Sequence, residues 1–210
     1  MTTLIIARHG NTFSKGETPT RVGARTDIPL VASGQEQASL LGKYLFSRNL
    51  IPEVTYSAPL KRTMETAQGA LKAMNLVQTV KTLDIFTEID YGPDENKTEE
   101  EVISRIGEDA ISAWNKEAIV PEGWQVNPAE IIQNWQDFAS GLLSSGNSTV
   151  LAVTSNGIAR FAPYITGDFA AFSASHDIKV GTGCLCIFRF DGTRWLCDEW
   201  NLKPKDFVSL

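Results

Sequence analysis

The sequence predicts an α/β protein: a three-layer α/β/α sandwich with a mostly parallel central sheet and an inserted, mostly helical cap over about residues 90–147. Three observations carry this. Short buried-strand runs alternate with amphipathic helical segments, the pattern of parallel strands joined by crossover helices. Two of those runs, "TLIIARHGNT" (3–12) and "TVLAVTSNGIAR" (149–160), end alike, in polar residues and a glycine. Sites in open parallel sheets form beyond such carboxyl ends. Residues 90–147, in contrast, show helical spacing and no strand pattern. The 210 residues suit one domain, 1–210.

The elements follow in order. Residues 3–7 read as a fully buried strand. A loop from Asn11 to Ala32 holds Gly16, Pro19, Gly23 and Pro29 together with Arg21, Arg25 and Asp27. Ser33 and Glu36 have capping-box spacing before a periodic run through Leu50. After Pro52 a short strand at 53–57 precedes a helix from Pro59 to about Met74, and 77–83 reads as another strand. Thr98 and Glu101 form a second capping box, for a helix reaching about Ala118. "VPEGW" breaks the chain, Asn127-Pro128 starts a helix, and Gly146 ends it. A strand at 149–154 runs into a helix from about Gly157. Strands at 180–190 and 194–200 flank Asp191-Gly192, a hairpin signal.

Composition narrows the function. Apolar residues at 42% and charged residues at 21% are an ordinary globular balance. The net charge of −6 argues against nucleic acid as a partner, although a local basic pocket is compatible with it. No apolar run approaches the roughly 20 residues that span a bilayer, so no membrane is expected as a partner. The chain enters its first strand with no basic lead, so no signal peptide is expected. Cys184, Cys186 and Cys197 are three and clustered, which is no disulfide framework. Cys184 and Cys186 share one strand face and read as small apolar packing. A reducing, cytoplasmic setting is the expectation. Two histidines and no Cys-x-x-Cys give no zinc pattern.

Three stretches can carry chemistry. In Arg8-His9-Gly10 an arginine at a strand end needs an anion, because a lone buried charge is strongly unfavourable, and guanidinium grips phosphate or carboxylate bidentately. A histidine beside it, with one ring nitrogen free, can be a nucleophile toward phosphorus, and Gly10 lets backbone approach a ligand. The alternative is an arginine–carboxylate bridge beside a satisfied histidine, and the tripeptide leaves both open. In "YSAPLKRTMETA" (56–67), Arg62 lies in the first turns of a helix, where it can reach the strand ends; its alternative is a surface salt bridge with Glu65. In "TEIDYG" (87–92), Glu88 stands between Phe86 and Ile89, where burial would raise its pKa and suit it to donate a proton; its alternative is a solvated acid.

Taken together, "LIIARHGNT", "RTDIPLVASGQEQA", "YSAPLKRTMETA" and "EIDYGPDEN" resemble the histidine phosphatase, or phosphoglycerate mutase-like, superfamily, in order and approximate spacing. The resemblance spans most of 1–95 and returns at 148–160 and 180–190. It implies a metal-independent phosphomonoesterase with no cofactor, acting on a small phosphorylated molecule. His9 would become a phosphohistidine, Arg8 and Arg62 would hold the non-bridging oxygens, and Glu88 would protonate the leaving alcohol. Asn11, Asn156 and Gly157 would join the phosphate site. The chain departs from the family in three places. Asn156 stands where the family has a second histidine; it can donate an N–H but cannot be cationic. By analogy with a lost oxyanion donor this costs roughly 10²–10³ in rate, at the smaller end because a donor remains. Lys15 stands where an asparagine is common. Pro93-Asp94-Glu95 replaces the usual residues after "DYG", which leaves Glu95 as a rival to Glu88. His176 is a candidate replacement for the missing histidine. Two other readings remain: a weakened member that binds a phosphorylated ligand or a protein partner, and, ranked lower, a phosphoglycerate mutase. Trp114, Trp124 and Trp135 are expected to pack the cap on the core, with the wall of an apolar pocket as the alternative.

Overall fold

The computed structural model describes residues 1–210. Six strands form one sheet: β1 (Thr2–Arg8), β2 (Val54–Ser57), β3 (Lys81–Thr82), β4 (Thr149–Thr154), β5 (Leu185–Phe190) and β6 (Trp195–Leu202). Their order is β3-β2-β4-β1-β5-β6. The pairs β3–β2, β2–β4 and β4–β1 are parallel; β1–β5 and β5–β6 are antiparallel. The sheet is therefore mixed, with its parallel half at the strands that bear the motifs. In the centre, Leu4, Ile5, Ile6 and Ala7 are at most 1% exposed. Each large side chain so buried contributes roughly 1.5–3 kcal/mol. The pleat sends Ile5 and Ala7 to one face and Leu4 and Ile6 to the other, into two separate cores.

One face is covered by α1 (Ala32–Ser47) and α2 (Lys61–Ala73), whose Leu41, Leu45, Ala67 and Leu71 meet Ile5 and Val153. Across the other face lies α5 (Pro128–Ser145), with Trp135, Ala139 and Leu142 in the core and Phe138 edge-on to Tyr56. The inserted segment is thus mostly helical, with irregular chain between Glu117 and Pro128, and its last helix also serves as the second outer layer. Its earlier part holds α3 (Glu99–Ile106) and α4 (Glu108–Glu117), which lie over the strand ends. After β4 come α6 (Asn156–Ala159), a 3-10 turn at Ala162–Thr166, and α7 (Phe169–Ser175). No helix is long and apolar enough to cross a membrane.

The capping box of Thr98 and Glu101 forms, and Asn127 caps α5, which Gly146 ends at φ 75°. Other expectations are corrected. Helix α1 starts from Val31 with no side-chain cap, because the Ser33 hydroxyl instead accepts from Asn11 Nδ2 at 3.3 Å. Helix 98–118 is two helices, broken at Gly107 with φ 83°. The strand expected at 77–83 shrinks to Lys81–Thr82, since the Gln78 side chain donates to the carbonyls of Pro52 and Glu53 where a backbone ladder would run. Residues 180–184 are irregular, and the strand begins at Leu185. The Asp191-Gly192 turn forms, with Asp191 Oδ1 accepting from Thr193 and Arg194 N–H. The three cysteines are free, with Cys184 and Cys186 buried.

Candidate active site

The two matching strand ends meet. β1 and β4 run parallel in a register that sets Arg8 beside Thr154, and His9 N–H donates to the Thr154 carbonyl at 3.0 Å. Beyond them opens a cavity of about 840 Å³. Its wall includes Arg8, His9, Asn11, Lys15, Glu88 and Asn156, and on the cap side Tyr91, Trp114 and Arg160.

His9 is 5% exposed, and its Nδ1 lies 2.8 Å from the Gly10 carbonyl. A carbonyl only accepts, so Nδ1 carries the proton and the Nε2 lone pair is free. Burial pushes the imidazole pKa well below its ordinary value, and the charges of Arg8 and Arg62 push it the same way. Gly10 is obligatory: a Cβ there would meet the Gly34 backbone. Arg8 is fixed by a 2.7 Å bond from Nη1 to the Val180 carbonyl, and its Nε is buried without a partner.

Arg62 is fully buried and stands behind the cavity wall. Its Nη1 donates to the Thr26 carbonyl at 2.7 Å and its Nη2 to that of Gly23 at 3.1 Å, while Nε has no partner. The surface bridge to Glu65 does not form; Glu65 instead accepts from Leu30 N–H at 2.7 Å.

Glu88 is 5% exposed and no solvated acid. Its Oε1 accepts from Ile89 N–H at 3.0 Å. Burial raises its pKa, opposed by Arg62, that backbone bond and Arg8. Gly157, expected at the phosphate, does not line the cavity. It packs against Glu88, and a Cβ there would fall on Glu88 Oε1.

The rivals separate by position. Glu95 lies outside the cavity, its carboxylate taking N–H bonds from Gly23, Arg25 and Tyr91 and a hydroxyl from Thr26. It holds the 23–26 loop in place. His176 also lies outside, stacked on Phe172 with ring centroids 4.6 Å apart. Lys15 is exposed on the cavity rim. Asn11 lines the wall with its side chain spanning Ser33 and Thr182. Asn156 lines it too, with Oδ1 accepting from Val180 N–H at 2.9 Å. Trp124 and Trp135 are buried, donating to Asp94 and to the Ile158 carbonyl, and only Trp114 reaches the cavity.

Sequence reasoning missed Arg160. It is fully buried, four residues after Asn156 at the C-cap of the same short helix, and helical spacing would have brought the two together. No group of three or more His, Cys, Asp or Glu side chains is placed to hold a metal ion.

The fold and this strand-end cavity define a three-layer α/β protein of a known kind. Residues 4–203 match the Histidine phosphatase superfamily (branch 1), and the chain belongs to that family. Among curated relatives it is 24% identical to Phosphoglycerate mutase 1 of Saccharomyces cerevisiae, over 97% of this chain and 90% of that protein. It is 26% identical to a 2,3-bisphosphoglycerate-dependent phosphoglycerate mutase of Mycobacterium tuberculosis, over 98% of this chain and 79% of that one. Among solved structures it superposes on mycobacterial glucosyl-3-phosphoglycerate phosphatase with a TM-score of 0.79 at 18% identity, covering 96% of this chain and 99% of that chain. The alpha-ribazole phosphatase of Shigella flexneri gives a TM-score of 0.73 at 20% identity, covering 96% and 97%. At these identities the structures establish the shared fold.

Proposed function

We propose that this chain is a metal-independent phosphomonoesterase that works through a phosphohistidine at His9 on a small phosphorylated molecule. The observation that carries the reading is the His9 tautomer: Nδ1–H is held by the Gly10 carbonyl, so Nε2 faces the cavity as a free nucleophile. In the first step Nε2 attacks phosphorus and the bond from phosphorus to the ester oxygen breaks. The departing oxygen takes the proton of Glu88, whose burial favours the protonated form. In the second step the Glu88 carboxylate takes a proton from water, the resulting hydroxide attacks phosphorus, and the N–P bond breaks. Phosphate leaves and Glu88 is again protonated. Arg8, on the cavity wall, supplies fixed positive charge that stabilises the transferring group, and Arg62 adds its charge from behind the wall. Asn156 adds one amide N–H.

One observation favours a second reading. With Asn156 in place of the family's histidine and Arg62 behind the cavity wall, the site fits a weakened member that binds a phosphorylated ligand or a protein partner. Mutase activity ranks below both. The experiment is phosphate release from an aryl phosphate in the presence of a chelator. The reading predicts release by the native protein and none by His9→Ala. Tight vanadate binding without turnover would favour the second reading. Isomerisation of 3-phosphoglycerate primed with 2,3-bisphosphoglycerate would favour the third.

A further inference from the structure

Arg160 is a buried charge with no carboxylate partner. Its side chain is fully buried, and it forms no ion pair. Nη1 donates to the Trp114 carbonyl at 2.6 Å and Nε to the Asn156 carbonyl at 3.3 Å. Nη2 makes no bond within the protein, although the residue lines the cavity. The guanidinium lies 3.9 Å above the Trp114 ring. Trp114 stands edge-on to Trp124 at 5.3 Å, and Arg21 lies over Trp124 at 5.0 Å and over Tyr91 at 5.5 Å. Two guanidiniums are therefore bedded on one aromatic cluster, at the cap side of the cavity.

A buried guanidinium is costly unless an anion meets it. The acids on the wall do not serve. Burial favours the neutral form of Glu88, and Glu99 is already paired with Arg21 at 2.6 Å. Glu100 is exposed. The Tyr91 ring is 7% exposed, and its hydroxyl makes no bond within the protein. The cavity wall carries Arg8, Lys15, Arg21, Arg160 and Lys179 against Glu88, Glu99 and Glu100, a positive excess on a protein of net charge −6. Arg8 already serves the His9 end, which leaves Arg160, stacked on Trp114 of the cap and close enough to Glu88 to oppose the rise in its pKa, as the buried cation with no ion pair.

We propose that the cap side of the cavity is a second anion site, formed by Arg160 Nη2 and the Tyr91 hydroxyl with Arg21 at its rim. The substrate is then a phosphomonoester whose leaving alcohol carries a second acidic group, a carboxylate or another phosphate. This deepens the phosphatase reading and rests on it. The Trp114 ring excludes water behind the guanidinium and so strengthens its attraction for an anion.

The test uses three matched esters: phenyl phosphate, 3-carboxyphenyl phosphate and 1,3-phenylene bisphosphate. The native protein should prefer at least one of the two anion-bearing esters over phenyl phosphate by tenfold or more in kcat/KM, mainly through KM. The better of the two identifies the acidic group. In Arg160→Met that ratio should fall to within twofold of unity whatever the absolute rates, and in Tyr91→Phe it should fall part of the way. Arg160→Lys, which retains the charge if the shorter variant does not fold, should hold an intermediate ratio. No preference in the native protein, or an unchanged ratio in Arg160→Met, overturns the proposal. Dissociation constants of the same esters on His9→Ala give the ratio without turnover. Failure of the phosphatase reading would show separately, as hydrolysis that persists in His9→Ala.

Discussion

The Val180 peptide joins Asn156 to Arg8: its N–H donates to Asn156 Oδ1 at 2.9 Å, and its carbonyl accepts from Arg8 Nη1 at 2.7 Å. A backbone N–H can only donate, so the amide orientation is fixed and Asn156 Nδ2 is the group left for the cavity. An acceptor is required at position 156. A neutral imidazole satisfies that requirement through an unprotonated Nδ1; an imidazolium does not.

The roughly 10²-fold cost expected from the sequence for this asparagine is therefore corrected: Asn156→His is expected to change phosphate release by less than about tenfold, because the new ring is held neutral and offers one N–H, as asparagine does. A gain of roughly 10²-fold, the size of a full oxyanion donor, would contradict this. Asn156→Asp retains the acceptor, loses the donor and adds negative charge, and should lower kcat by at least roughly 10². Asn156→Ala orphans the buried Val180 N–H and should cost about 1–3 kcal/mol in denaturant unfolding.

Glu88 links activity to stability. Its folded pKa is raised by burial, so its contribution to stability is fully present below the ordinary carboxylate range and is lost as pH rises through the raised value. Glu88→Gln should therefore melt higher than the native protein at neutral pH, by about 2–4 °C per kcal/mol recovered, and the difference should close in acid. The same variant should lose roughly 10²–10⁴ in kcat on alkyl esters, whose leaving oxygen needs a proton. A variant no more stable than the native protein at neutral pH would contradict the burial argument.

The pH–rate profile should be bounded below by His9 and above by Glu88. His9 must be unprotonated, and its depressed pKa lets it stay so at lower pH than an ordinary imidazole. Glu88 must be protonated for the first step, and its raised pKa holds it so at higher pH than an ordinary carboxyl. Glu88→Gln should flatten the alkaline limb and leave the acid limb in place. Profiles of kcat/KM for both proteins check this.

Gly157→Ala should lower kcat at least tenfold, because the new Cβ would fall on Glu88 Oε1 and displace the acid. Overpacking of this kind costs about 1–3 kcal/mol, which thermal unfolding measures. Unchanged activity would mean that Glu88 can move without consequence.

Much of the fold was legible because local rules and tertiary packing agree where the motifs lie. The cap at Thr98 and Glu101 and the turn at Asp191-Gly192 satisfy their own backbone groups locally, and the buried run Leu4–Ala7 pairs on both sides with strands whose apolar patterns match it. Ser33 misled because tertiary demand overrode it: its hydroxyl holds Asn11 at the cavity wall rather than capping a helix. Residues 77–83 misled because the Gln78 side chain takes the bonds a strand would have made. In the site, the strand-end residues were legible from a short continuous apolar run that ends in polar residues and a glycine. Arg160 was not, because an arginine inside a helix reads as solvated, and only the cap, through Trp114, buries it. The partner of Asn156 was hidden for a like reason, since Val180 is 24 residues away in sequence and lies in irregular chain.

The central claim is that His9 Nε2 becomes phosphorylated. The most direct measurement is intact-protein mass spectrometry after rapid mixing with an excess of aryl phosphate under neutral or basic quench, where a phosphohistidine survives. The account predicts a transient gain of one phosphoryl group, mapped to His9, prolonged in Glu88→Gln and absent in His9→Ala. Turnover with no phosphorylated protein in Glu88→Gln, or the same gain in His9→Ala, would contradict it.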